Sequence, residues 1–421
     1  MSRYRPYLMY KNSGVAWLGK VPKHWDVKRF KFAVAFTKNG VWGDDPNGVD
    51  DIKCVRVADF DRGALRVAAD VPTFRAVPLN ERKLRLLRRG DLLLEKSGGG
   101  ENQPVGQVVI YDQDGDAVCS NFVSKMELVA GAYPPFFNYL FAAAYFVRLN
   151  MRSVKQTSGI QNLDQEQYLS EFGVFPPIAE QTAIAAALDR ETARIDALIE
   201  KKTRFVELLK EKIVALASQP TDSPNLKWVR LSHVCEVISR PVLQQASNSY
   251  TKLGLFNRGR GIFKRDETDT ENMGDSEFFW IQPGDLILSG QFAWEGAVAL
   301  ANEEHDGCVV SHRFPVIRGR KNEAITEYLL AYFLTAQGDF VLNDCSRGSA
   351  GRNRPLNMNL LLGWKIPIPS MQIQREIERL VQLERRIAKK VSKSIDLLKE
   401  RRSAFITAAV IGQIDLREEA A

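Results

Sequence analysis

Gly90-Asp91-Leu92-Leu93-Leu94 returns 194 positions later as Gly284-Asp285-Leu286-Ile287-Leu288. Working outward from this pair, other segments return in the same order. Pro176, Gln181 and Ile184 reappear as Pro369, Gln374 and Ile377, a shift of 193. Ser158-Gly159-Ile160-Gln161-Asn162-Leu163 returns loosely as Ser349-Ala350-Gly351-Arg352-Asn353, near Leu356. Trp25-Asp26-Val27-Lys28-Arg29-Phe30 is echoed by Trp228-Val229-Arg230-Leu231. A period of about 190 residues is far longer than a solenoid repeat. It predicts two copies of a whole module, and a duplicated module suits two similar tasks at two places.

The remaining composition is that of a folded protein. The chain has 421 residues, 45% hydrophobic and 26% charged, which suits two to four domains. Its net charge of +7 is compatible with a nucleic-acid partner but does not require one. Cys54, Cys119, Cys235, Cys308 and Cys345 form no CxxC pair, so neither a zinc site nor a disulfide framework is expected. Reduced thiols fit a cytosolic chain. Met1-Ser2-Arg3-Tyr4-Arg5-Pro6 has no apolar signal-peptide core. The apolar stretch Pro134 to Val147 is too short to cross a bilayer and is read as a buried helix. A soluble protein of the cytoplasm is expected.

Each half combines a mixed globular part with one long helix. In the first, Ile52 to Val57, Asp91 to Glu95 and Gln107 to Tyr111 are short apolar runs bounded by Gly, Asp or Pro, and are predicted strands. A helix over Phe136 to Asn150 follows the Pro-Pro pair. In the second half the strands are Asp285 to Leu288, Ala297 to Leu300 and Cys308 to Val310, and the helix is Ala324 to Thr335.

Pro176 and Pro177 suit the first turn of a helix, where no backbone N–H is needed, and no Pro or Gly occurs from Ile178 to Ser218. Ile184, Leu198 and Phe205 share one seven-residue track with Glu191 and Lys212. Leu188, Ile195, Leu209 and Leu216 share the adjoining track with Lys202. The second long helix, from about Ser370 to Val410, has Ile377, Val391, Leu398 and Phe405 with Glu384 on one track. Ile373, Leu380 and Ile387 lie on the other, extended through Ser394 and Arg401. Such alternation is a coiled-coil seam. Each helix of about 40 residues is roughly 60 Å long, and a lone apolar stripe needs a partner. The expected fold is therefore α+β, with two mixed globular domains separated by two long helices packed as an antiparallel coiled coil. The expected boundaries are 1–175, 176–219, 220–368 and 369–421.

These segments together resemble the specificity subunit of type I restriction-modification systems. Ser13-Gly14-Val15-Ala16-Trp17-Leu18-Gly19-Lys20-Val21-Pro22-Lys23-His24-Trp25 looks like that family's opening. Gly90-Asp91-Leu92-Leu93 looks like its core strand, Ser158 to Leu163 like the end of its target-recognition domain, and Pro176-Pro177-Ile178-Ala179-Glu180-Gln181 like the start of its helix. The tail Ile411-Gly412-Gln413-Ile414-Asp415 is also family-like. The second half departs from the pattern: Pro369-Ser370-Met371-Gln372-Ile373-Gln374 keeps only part of the helix start, and Gly351 to Leu356 replaces the Gly-Ile-Gln-Asn-Leu segment.

The resemblance implies a non-catalytic adaptor with two target-recognition domains, each reading one half of a bipartite, asymmetric site in double-stranded DNA. The paired helices would set the gap between the halves and dock two methyltransferase subunits, and through them restriction-translocase subunits. No cofactor would be bound by this chain; S-adenosylmethionine, ATP and Mg would sit on the partners. The chain itself offers no GxxxxGK[ST] phosphate loop. Ser97-Gly98-Gly99-Gly100 is Gly-rich but lacks the GxGxxG context. Tyr133-Pro134-Pro135-Phe136 resembles an adenine-methyltransferase motif with Tyr133 where an Asn, Asp or Ser is required, so a helix start is the better reading. His24, His233, His305 and His312 show no ligand spacing.

Phosphate neutralisation needs Lys and Arg, and base reading favours Arg, Lys, Asn and Gln. The candidate DNA contacts in the first half are Lys96, Ser97, Gln103, Ser120, Asn121, Arg152, Lys155, Gln156, Gln161 and Asn162. In the second they are Gln291, Trp294, His312, Arg313, Arg347, Ser349, Arg352, Asn353 and Arg354. The basic run Arg82 to Arg89 has a non-basic counterpart, Glu277 to Gln282, and is read as a solvated face. Three alternatives are a fused restriction-methylation enzyme, the specificity subunit of a related type II-like methylation and cleavage system, and a coiled-coil adaptor that does not touch DNA.

Overall fold

The structure, a computed structural model, describes residues 5–156, 159–218, 226–243, 249–269, 276–348 and 354–417. It divides into two compact units, 1–199 with 395–421, and 200–394. The same strand order recurs in both. The first unit has a sheet running Val34–Asn39, Val123–Leu128, Leu92–Glu95, Val108–Ile110, Arg66–Val67 and Phe60–Asp61. The second runs Cys235–Val237, Val316–Gly319, Leu286–Leu288 and Val298–Leu300. A second sheet accompanies each. In the first unit Ala117–Cys119 lies parallel to Asp51–Val55, which pairs antiparallel with Phe74–Ala76. In the second, Val309–Ser311 lies parallel to Ser249–Leu255, which forms a long hairpin with Ile262–Asp269.

The repeated Leu-rich strand is apolar throughout because both of its faces are covered. Leu92 and Leu94 enter the core beneath helix Pro134–Phe146, whereas Leu93 points to the opposite core with Val109 and Tyr111. Leu286 and Leu288 likewise pack with helix Thr326–Phe333, and Ile287 packs with Val310 and Val316.

The preceding Gly-Asp pair closes a turn. Gly90 and Gly284 have φ of +98° and +87°, a region that excludes most side chains. Asp91 accepts the Arg88 N–H at 2.7 Å and Asp285 accepts the Gln282 N–H at 2.8 Å. Both carboxylates are buried against cations: Lys125 lies 3.1 Å from Asp91, and Arg240 and Arg318 lie 2.8 and 2.6 Å from Asp285. Burial raises the Asp91 pKa even with Lys125 beside it.

The long helices span Ile178–Ser218 and Met371–Val410. They pair antiparallel. In the first unit Ile184, Ala187 and Leu188 share a core with Ile406, Ala409 and Val410, and Arg402 approaches Asp196 at 3.4 Å. In the second, Ile213 and Ala217 share a core with Ile377 and Val381, and Lys210 approaches Glu384 at 3.8 Å. The expected heptad tracks are only partly buried: Leu198 and Phe205 are about half exposed, while Thr192, Ala217 and Val381, on neither track, are buried. Gln181 and Gln374 explain the repeated helix start. Gln181 accepts the Tyr133 N–H at 2.8 Å and donates to Pro176 O at 2.8 Å; Gln374 accepts the Ile325 N–H at 2.8 Å and donates to Pro369 O at 3.0 Å. Each glutamine ties its long helix to the start of the short helix in its own unit.

Several sequence expectations need correction. Helix Pro134–Phe146 stops before Asn150 because Arg148 adopts φ +57° and a 3-10 turn follows. Helix Thr326–Phe333 also ends early, as Thr335 caps a further helix, Ala336–Asp344, by accepting the Gly338 N–H. The tryptophan echo is out of register. Strand pairing sets Val27 opposite Val174 and Trp228 opposite Pro367. Trp228 therefore takes the place of Val27, and Trp25, fully buried, has no counterpart in the second unit. The five cysteines are free and buried, and burial pushes the Cys119 thiol up to about 12. No described helix is long and apolar enough to cross a membrane.

One buried group couples the second unit to pH. His305 Nδ1 accepts the Asn302 N–H at 3.1 Å within a capped turn. Burial, with Lys264 nearby, lowers its pKa. Protonation would turn that acceptor into a donor. The unfolded chain, near the ordinary value of about 6.5, takes up the proton first as pH falls. The contribution is therefore full above that value and is lost as pH drops through the lowered folded pKa. The melting-temperature difference between wild type and His305→Asn is expected to be largest near pH 7.5 and to shrink towards pH 5. A difference independent of pH would contradict this role.

Candidate nucleic-acid interface

In the first unit the central strand runs directly into the candidate residues. Ser97–Gly98 pairs with Gln161–Leu163, which pairs with Val154–Gln156. This register aligns Ser97, Asn162 and Lys155 across three strands, and Gly98, Gln161 and Gln156 beside them. Ser97 Oγ donates to Asn162 Oδ1 at 2.6 Å, and Lys96 Nζ donates to Asn39 Oδ1 at 2.7 Å. The turn carrying Asn121 adjoins, because Phe122 O accepts the Lys96 N–H at 2.8 Å. A groove of about 550 Å³ beside them is lined by Lys38, Asn39, Arg85, Lys96, Asp164 and Glu166, among others.

Asn121, Lys155, Gln156, Asn162 and Gln103 are exposed, and Lys96 and Ser97 are partly so. Lys155 pairs with Asp164 at 2.8 Å and Arg152 with Glu171 at 3.6 Å, both at the surface. Two candidates are placed elsewhere. Ser120 and Gln161 are buried. Gln161 Oε1 accepts the Val105 N–H at 3.1 Å, so its amide holds the Gly-rich loop in place rather than facing solvent. Glu95, at the end of the strand, is fully buried on Arg62, and burial raises its pKa. In the basic run, Arg82 and Arg85 are spent on backbone carbonyls: Arg82 on Val77 O and Arg85 on Asn39 O and Glu81 O.

In the second unit the corresponding strand ends at Leu288, and Gly290-Gln291 stand where Lys96-Ser97 stand in the first. His312-Arg313, after strand Val309–Ser311, stand where Asn121-Phe122 stand. Gly290 N–H donates to Arg313 O at 2.7 Å, tying the two loops together. Trp294 Nε1 donates to Gln291 O at 3.1 Å, and the Arg354 guanidinium lies 5.0 Å from the Trp294 ring. Arg354 also donates to Asn343 Oδ1 at 2.7 Å, so it braces this loop. Arg347 pairs with Asp344 at 2.7 Å. His312 and Arg313 are exposed. Ser349, Arg352 and Asn353, the heart of the sharpest sequence candidate, lie outside the described residues.

Gln291 and Arg313 face a cleft of about 480 Å³ with Lys252, Arg265, Phe263 and Phe292; no carboxylate lines it among the described residues. Sequence reasoning missed the hairpin wall of this cleft. The available signal was Asn257-Arg258-Gly259-Arg260-Gly261, a turn composition between two β-prone runs. Among the described residues, no group of three His, Cys, Asp or Glu side chains forms a metal site.

Comparison with known proteins bears on this pair of loop-bearing modules. Residues 225–397 match the family model "Type I restriction modification DNA specificity domain". The match falls on the half whose motifs are the more degenerate. A solved structure concerned with complex assembly and conformational transition of the type I R-M system has the same fold. Its TM-score is 0.61 at 16% identity, over 94% of this chain and 99% of that one. The HsdS subunit from Thermoanaerobacter tengcongensis matches at TM-score 0.45 and 16% identity, over 94% of this chain and 98% of that one. The S subunit from M. genitalium matches at 0.44 and 14%, over 92% and 96%. No curated protein matches the sequence.

Proposed function

We propose that this chain is the DNA-specificity subunit of a type I restriction-modification complex and reads a split, asymmetric site, one half per unit. The observation that carries this reading is the duplicated scaffold with unlike readers. The same two loops flank the same Gly-Asp strand, but they carry Lys96, Ser97 and Asn121 in one unit and Gln291, His312 and Arg313 in the other. One frame with two sets of hydrogen-bonding side chains suits two half-sites of different sequence. The lysines and arginines around each loop pair suit phosphates, so binding should weaken steeply with salt.

The long helices, shared by both units, dock two methyltransferase subunits and set the spacing of the half-sites. The chain contributes no chemistry. S-adenosylmethionine is held by the methyltransferase subunits, and ATP and Mg by the restriction subunits, all in the cytoplasm. The spacing role has a direct test. One heptad is inserted in the first long helix between Leu188 and Leu209 and one in the second between Val381 and Arg402. This lengthens the pair by about 10 Å at 1.5 Å per residue with nearly unchanged phase. The methylated motif should gain roughly three base pairs of spacer, at about 3.4 Å each, with both half-sites retained. An unchanged spacer contradicts the ruler.

A further inference from the structure

The hairpin of the second unit carries chemistry that the loops do not. From Ser249 to Arg265 the chain has Lys252, Arg258, Arg260, Lys264 and Arg265 and no Asp or Glu. Ser249–Leu255 and Ile262–Asp269 pair antiparallel, and Phe256 N–H closes the tip on Gly261 O at 3.0 Å. The tip is fixed. Arg258 and Gly259 both adopt left-handed φ, +57° and +61°. Their N–H groups donate to Glu295 O and Gly296 O at 2.8 Å each. Asn257 donates to the Glu295 carboxylate. A Cβ on Gly259 would stand 2.4 Å from Leu334, so the tip rests directly on the body of the unit, beside the loop that holds Gln291.

The two arginines of this tip differ. Arg260 Nε donates to Asn257 O at 3.0 Å, and its guanidinium lies 5.5 Å from the Phe256 ring. Phe256 in turn packs on Phe263, with centroids 4.8 Å apart. One edge and one face of the Arg260 guanidinium are thus engaged, and the exposed Nη1 and Nη2 remain as a planar, pre-set fork. Arg258 is exposed, and its side chain makes no hydrogen bond or ion pair among the described residues. A pre-oriented guanidinium fork matches the two acceptors of guanine in the major groove, which is wide enough for a two-stranded ribbon. An untethered guanidinium suits a phosphate.

We propose that the tip of this hairpin enters the major groove of the second half-site, with Arg260 reading a guanine and Arg258 contacting the backbone. The proposal rests on the reading of the second unit as a half-site reader. Gln291 and Arg313, across the cleft from the hairpin, then act on neighbouring positions of the same half-site.

The test compares motifs methylated in cells that express the full chain with its adenine methyltransferase subunit. For Arg260→Ala, one position of the second half should relax from guanine to any base, a loss of roughly 10- to 100-fold in preference. The first half should be unchanged, which also shows that the chain has folded. Arg260→Lys should retain part of the preference. Arg258→Ala should keep the motif, weaken binding to all sequences alike, and lower the log–log salt slope by about one. An unchanged second half in Arg260→Ala overturns the assignment, as does relaxation in both halves. If the wild-type complex yields a split motif and Arg260→Ala does not alter it, only the hairpin role fails. If the wild type yields no split motif, the proposed function fails and this proposal with it.

Discussion

Asp285→Ala is expected to be the most destabilising single substitution in the second unit, by about 3–5 kcal/mol, the range for breaking a buried ion pair. Asp285 is fully buried and holds three donors: Arg240 at 2.8 Å, Arg318 at 2.6 Å and the Gln282 N–H at 2.8 Å. Removing the carboxylate leaves two guanidinium groups facing each other without a counter-charge, and opens the turn that Gly284 begins. Asp285→Asn keeps one acceptor for the turn and should lie between wild type and Asp285→Ala. Circular-dichroism melts are the check. A loss of this size corresponds to a fall of roughly 10 °C or more in melting temperature, and a wild-type melt for Asp285→Ala would contradict it. Asp91, with Lys125 alone as its cation, should show the same effect at smaller magnitude in the first unit.

Glu180→Ala is the second large effect, about 2–4 kcal/mol, from the loss of charged hydrogen bonds and a buried donor left unpaired. Glu180 receives His24 Nε2 at 2.7 Å, Trp25 Nε1 at 3.0 Å and Tyr7 Oη at 3.4 Å, with Arg417 at 3.9 Å. Trp25 is fully buried. Its indole N–H would be stranded, and the N-terminal segment and the Ile411–Arg417 tail would lose their shared anchor. Glu180→Gln should recover part of the loss. Hydrogen exchange should rise at residues 411–417 in Glu180→Ala before it rises in the sheet; protection unchanged from wild type would show that the anchor lies elsewhere. The second unit has no such clasp, since Ile373 stands where Glu180 stands in the first.

The parts of the fold legible in the sequence are those in which backbone and side chain make the same demand. Gly90 and Gly284 must adopt positive φ, Asp91 and Asp285 must cap the same turn, and the following strand must be apolar on both faces. That combination survives divergence and is visible as a repeat. The glutamines of the helix starts are legible for the same reason, as each has two backbone partners. The out-of-register tryptophans show the limit. An indole at the surface and one in a core look alike in sequence, and only strand pairing distinguishes Trp228 from Trp25. The heptad tracks were a partial guide because the long helices also pack against globular parts, which bury Thr192 and Val381 outside the seam. Within the candidate site, loop positions after strands were legible from composition. Burial was not, and Ser120 and Gln161 were indistinguishable from exposed readers. The Arg258–Arg260 tip escaped because its function depends on a hairpin closed by contacts to Glu295 and Gly296, far along the chain.

The central claim is that the two units read two different DNA half-sites for an adenine methyltransferase. Its most direct test is to express this chain with the methyltransferase subunit in a methylation-free host and to map methyladenine across the genome by long-read sequencing. The account predicts one split, asymmetric motif with a methylated adenine in each half and a fixed spacer between them. A stable complex that methylates a continuous or symmetric motif, or nothing at all, would contradict it.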